Sequence, residues 1–134
     1  MKRILIFMAF LACPLLGWSQ SAESQMLLSE LNEKRWYFMG LNGQFDFNEN
    51  GHLLMNGIAI DLSATEIAYK ETEDAQDAYL LLFSEKGKEI YEFREKGQVL
   101  FKTNNLLHPI KSKEQAAELV VLFTMLKAMA GSAS

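Results

Sequence analysis

The run Asp46-Phe47-Asn48-Glu49-Asn50-Gly51 places oxygen-bearing side chains at alternate positions and a Gly at the sixth, which is how an EF-hand calcium loop begins. The twelfth position, which supplies a bidentate Glu in such a loop, is Gly57 here. The flanks alternate as strands do, so a hairpin turn is expected in place of a calcium site. His52 and His108 are the only histidines. A zinc site takes three or four ligands, so no metal is expected. His52 reads as a solvent-facing strand residue and His108 as a loop residue before Pro109. No serine sits in a nucleophile-elbow motif, and nothing brings a Ser, a His and an Asp together. Glu71, Glu73, Asp74 and Asp77 offer paired carboxylates, but a charge run in a loop is ordinarily just solvated. No Gly-rich phosphate loop opens a helix. The chain is therefore not expected to be an enzyme, and no cofactor is expected.

The aromatic residues remain. Tyr37, Phe45, Phe47, Tyr79, Phe83, Tyr91, Phe93 and Phe101 fall on one face under the strand register set out below. Such a face either fills a core or walls a cavity for a small apolar ligand. Burying a large apolar side chain contributes about 1.5–3 kcal/mol, so a core alone accounts for the pattern. Both readings stand at this point.

The elements that position these residues are strands punctuated by Gly. Glu-Lys-Gly occurs at 85–87 and again at 95–97, between the apolar runs 78–84, 88–94 and 98–103. A three-residue hairpin loop ends in a left-handed residue, usually Gly. That loop makes Leu81 face Tyr91 and Tyr79 face Phe93, then Phe93 face Val99 and Tyr91 face Phe101. The opposite side carries Leu80, Leu82, Ile90 and Leu100 among charged residues. Leu41-Asn42-Gly43 and Glu49-Asn50-Gly51 repeat the logic for strands 36–40, 44–48 and 52–56. Tyr37 and Met39 then face Phe47 and Phe45, which face Leu53 and Met55. At Asn56-Gly57 the buried parity switches from odd to even, which marks a bulge or, alternatively, a tight two-residue turn. Strands 58–62 and 66–70 follow, then an acidic loop. Asn104 to Pro109 reads as a loop leaving the sheet.

A short helix is expected over Ser21 to Arg35, with Ser24 as a candidate N-cap. Ser112 and Gln115 form a capping box for a helix over 113–130 that Gly131 can end. This helix is apolar on most sides, which implies burial under the sheet or in an interface. Its expected seat is Leu80, Leu82, Ile90 and Leu100.

Residues 1–19 read as a secretory signal peptide: Lys2 and Arg3, an apolar stretch Ile4 to Leu16, and small residues up to Ser19. That stretch is shorter than the ~20 residues a membrane-spanning helix needs. Phe10-Leu11-Ala12-Cys13 supplies the alternative of a lipoprotein anchored at Cys13. Residues 20–134 then form one domain, periplasmic or secreted, with no transmembrane helix and no cysteine for a disulfide. Losing Lys2 and Arg3 leaves 11 basic against 17 acidic residues, which argues against a nucleic-acid partner. The 49% hydrophobic content suits a core that holds without disulfides.

The expected fold is thus mainly β (α+β): an antiparallel up-and-down meander of about eight strands, as a barrel or strongly curved sheet, with a short N-terminal helix and a C-terminal capping helix. This order, the Trp36 that follows a lead-in helix, and the run Phe45-x-Phe47-Asn-x-x-Gly51 resemble the small bacterial lipocalin-like domains. The resemblance implies an exported protein that binds a small apolar molecule in a barrel mouth. A PH-like fold is the architectural rival. The functional alternative is an envelope module with a solid aromatic core, which meets a protein partner or a second copy of itself through the helix 113–130.

Overall fold

The structure is a computed structural model and describes residues 22–41, 43–71 and 78–133. The expected signal peptide with Cys13, and Glu73, Asp74 and Asp77 of the acidic loop, lie outside the described residues. The fold is α+β. Helix α1 (Ala22–Glu33) and a 3-10 turn (Arg35–Tyr37) lead into β1 (Asp46–Phe47), β2 (Leu53–Met55) and β3 (Ile58–Ile60). After a second 3-10 turn (Leu62–Ala64) come β4 (Thr65–Glu71), β5 (Ala78–Ser84), β6 (Tyr91–Glu95), β7 (Gln98–Thr103), β8 (Asn105–Ile110) and helix α2 (Lys113–Ala133). The strands form three antiparallel sheets, in the orders β1-β2-β3, β4-β5-β8 and β6-β7. Among the described residues no closed barrel is found, and no helix is long and apolar enough to cross a membrane.

Strand β5 decides this arrangement. Its sequence, Ala78-Tyr-Leu-Leu-Leu-Phe-Ser84, is apolar on both faces and suits a central position. Strand β4 pairs along one edge from Thr65↔Ser84 to Glu71↔Ala78, and β8 along the other from Ala78↔Ile110 to Phe83↔Asn105. With both edges taken, β5 has none left for residues 88–94. The expected Leu81–Tyr91 and Tyr79–Phe93 pairs therefore do not form; Tyr79 lies opposite Lys70 and Pro109 instead.

The stretch before Pro109, expected as a loop, is strand β8. The Ser84 amide donates to the Asn104 carbonyl at 2.9 Å. Antiparallel alternation then turns residues 104, 106, 108 and 110 toward β5, and 105, 107 and 109 outward. Pro109 thus lacks an N–H only on the side where no ladder bond is needed.

Helix α2 packs on β4 and β5. Leu80, Leu82, Ile110, Ala116, Leu119 and Phe123 are all buried there. The expected seat is correct at Leu80 and Leu82 and wrong at Leu100, which is 59% exposed because β7 belongs to a different sheet. Ile90 packs half-buried at the core margin. The Ser112 hydroxyl accepts the Gln115 amide at 3.2 Å, while Gln115 Oε1 is buried without a partner, so half of the capping box forms. The helix runs through Gly131 to Ala133.

Residues 36–40 are not a strand. The chain leaving α1 tightens into the 3-10 turn, and only Phe38 bridges to Ile110. Tyr37 and Met39 therefore do not face Phe47 and Phe45. The Asn32 side chain meets the Phe45 backbone instead, accepting its amide at 2.8 Å and donating to its carbonyl at 3.0 Å. Ser24 lies within helix α1 rather than at its cap.

The expected Phe47–Leu53 pair is present. Met55 pairs with Ile58 across Asn56-Gly57, whose φ values of 51° and 80° give the tight two-residue turn in place of the bulge. Leu53, Met55, Ile58 and Ile60 share one buried face because the chain reverses between them. Lys96 (φ 53°) and Gly97 (φ 82°) make the same turn between β6 and β7. This shorter loop shifts the expected register: Phe93 faces Phe101 and Tyr91 faces Thr103, with Leu100 left over as a bulge.

Candidate functional site

The eight aromatic residues do not share a face. Phe45 is buried against Phe38 and Phe123, with ring centroids 5.6 and 6.2 Å away. Tyr37 is buried with its hydroxyl donating to Glu118. Tyr91 is fully buried at the root of the β6–β7 hairpin; its hydroxyl lies 2.7 Å from Thr65 Oγ1, and that hydroxyl donates to the Asp61 carbonyl at 2.8 Å. Burial holds the Tyr91 hydroxyl above the usual phenol pKa, against the lowering effect of the Thr65 bond. Phe47 is half-buried against the core. Tyr79 and Phe83 are half-buried on the side of β5 opposite Leu80 and Leu82. Their common parity was legible, but the strand next to them is β8, not β6.

Phe93 and Phe101 stay together. Their rings stack at 4.2 Å with an interplanar angle of 15°. They wall a groove of about 350 Å3. Its other sides are Asn56 and Ile58 from the β2–β3 hairpin, Thr103 from β7, and Asn105, Leu106, Leu107 and His108 from β8. Because side chains from both faces of β8 line it, the groove follows the outer edge of that strand.

Among the described residues, His108 is the only ionisable one that lines this groove. Its imidazole has Phe38 edge-on at 6.1 Å, and its Nε2 is buried with no hydrogen-bond partner among the described residues. Burial pushes its pKa down to about 4, so the ring is neutral at pH 7. Ile58, Leu106 and Leu107 were not singled out as site residues in the sequence, and His108 was read as a loop residue, because Pro109 hid the strand that carries three of these four. The alternation of Leu106, His108 and Ile110 was the available signal.

A second, polar cleft of about 550 Å3 lies between β2–β3 and β6. His52, Leu54, Ala59 and Asp61 line one side, and Ile90, Glu92 and Arg94 the other. Its charges are paired with protein groups. His52 Nε2 lies 3.9 Å from Asp61, and Arg94 and Lys102 lie 2.8 and 3.6 Å from the Glu92 carboxylate. The hydrogen bond from Arg94 holds that carboxyl below its usual pKa. The Asn48 oxygen of the EF-hand-like run accepts the amides of Asn50 and His52, which fixes the hairpin turn. Among the described residues no cluster of three or more His, Cys, Asp or Glu is placed to hold a metal.

No family model, no curated protein and no solved structure matches this chain. The groove beside β8 is therefore read from its own chemistry: an aromatic wall, an aliphatic floor and a polar rim, outside the packed interior.

Proposed function

We propose that the chain is an exported binding protein, without enzymatic activity, that takes a small apolar molecule in the groove between β8 and the β6–β7 hairpin. The stacked Phe93–Phe101 pair carries this reading. A ring that is 54% exposed and stacked on a second ring, beside Leu106 and Leu107, is a ready apolar contact surface. The likeness to lipocalin-like domains would put the ligand inside a barrel. This reading puts it at the side, because Leu53, Ile60, Leu80, Leu82, Tyr91 and Phe123 fill the interior. Export rests on the signal-peptide character of residues 1–19.

The test uses the uncharged dye N-phenyl-1-naphthylamine, whose fluorescence rises in apolar surroundings. The wild-type protein is expected to enhance it and Phe101→Ala to lose most of the enhancement. Val121→Ala, on α2, is expected to leave it unchanged. Equal enhancement by Phe101→Ala would remove the groove from the account.

One observation favours the protein-partner reading. Val121 and Met125 lie one turn apart on α2 and are 57% and 46% exposed, an apolar strip for a partner helix or a second copy. A dimer in solution that Val121→Glu abolishes would support it.

A further inference from the structure

The edge of β8 that lines the groove carries a hydrogen-bonding pattern. Residues 105, 107 and 109 turn their backbone groups away from β5. At Asn105 both groups are engaged: its amide donates to Thr103 Oγ1 and its carbonyl accepts from the same hydroxyl. At Pro109 there is no N–H, and the carbonyl accepts the Met39 amide at 3.0 Å. Between these two closed positions stands Leu107, whose N–H and C=O point the same way and have no partner among the described residues. The edge thus offers one donor and one acceptor, side by side, in a groove walled by stacked aromatic rings.

We propose that the groove recognises a planar, uncharged molecule with an adjacent donor and acceptor, such as a lactam edge, which pairs with the N–H and C=O of Leu107 while its apolar rings lie against Phe101. This rests on the small-ligand reading above and specifies the ligand class. An extended peptide fits less well: strand addition needs a succession of free outward pairs, and this edge closes on either side of Leu107. A charged ligand fits less well too, because among the described residues neither a cation nor an anion lines the groove. The volume of about 350 Å3 is at the small end of ligand sites and suits a molecule of two fused rings.

Three related compounds separate this inference from the reading beneath it: 2-quinolinone, which has the lactam edge, N-methyl-2-quinolinone, which cannot donate, and naphthalene, which has neither group. Binding to the intact protein is followed by amide and aromatic NMR shifts. 2-Quinolinone is expected to bind about tenfold more tightly than its N-methyl form and to move the Leu107 amide resonance downfield. Leu107→Pro removes the outward N–H and leaves the bonds to β5 untouched, as Pro109 already does two residues on. It is expected to reduce the 2-quinolinone affinity to that of the N-methyl form, while Leu107→Ala keeps the preference. Equal affinity for all three compounds, with Phe101 still shifting, would overturn the lactam inference and leave the apolar groove standing. No binding by any of the three, together with no dye enhancement, would overturn both.

Discussion

Glu85-Lys86-Gly87 and Glu95-Lys96-Gly97 are the same tripeptide in two different structures. At 95–97 it closes the β6–β7 hairpin, with Lys96 and Gly97 both at positive φ. At 85–87 only Gly87 is at positive φ, and no hairpin forms. There the Glu85 amide donates to the Ala64 carbonyl and the Gly87 amide to the Ser84 carbonyl. The strand before the second copy has a free edge to fold back on. The strand before the first, β5, sits in the centre of a sheet with α2 on one face. Local turn chemistry prevails where nothing larger competes. It yields where an apolar strand gains more from two long ladders and a helix than from a short hairpin.

Two substitutions sharpen this contrast. Leu82→Ala, on the helix-covered face, is expected to lower stability by about 2–5 kcal/mol in urea unfolding. Leu100→Ala, in the β7 bulge, is expected to stay within about 0.5 kcal/mol of the wild type. Comparable losses at both sites would erase the difference between the two regions.

The next effect is set by pH. The His108 pKa, depressed to about 4 by burial, means that the unfolded chain takes up a proton near pH 6.5 while the folded one does not. Stability contributed by the neutral buried ring is present above about pH 6.5 and is lost as pH falls toward 4, by up to about 3 kcal/mol. His108→Leu is expected to flatten this part of the curve, measured by thermal unfolding at pH 7 and 5. A mutant as pH-sensitive as the wild type would place the effect elsewhere.

A smaller loss is expected at the turn. Gly97→Ala puts a side chain at φ 82° with open space around it, so the cost is backbone strain of about 1–2 kcal/mol. Hydrogen exchange should quicken in β6 and β7 while β5 keeps its protection. Equal quickening in β5 would show the two regions to be one cooperative unit.

Much of the fold was legible where the determining contacts are local. The β1–β2 turn and the Phe47–Leu53 pair follow from Asn50-Gly51 and alternation. Half of the Ser112–Gln115 cap and the seat of α2 on Leu80 and Leu82 were readable from spacing. What was not legible depends on partners distant in sequence. Strand β8 was hidden because Pro109 argues against a strand until it is known which edge faces outward. Trp36, read as an entry-strand residue, lies in a 3-10 turn and is 58% exposed, with Lys111 Nζ 5.5 Å from its ring. Of the eight aromatic candidates, Phe93 and Phe101 line the groove, and the shorter turn at Lys96-Gly97 is what sets them opposite each other.

The central claim is that the ligand surface lies beside β8 rather than on α2 or inside the core. Intermolecular NOEs between N-phenyl-1-naphthylamine and the protein test it most directly. The account predicts contacts from the dye to the Phe101 and Leu107 side chains and none to Val121 or Met125. Contacts to Val121 and Met125 without any to Phe101 would contradict it.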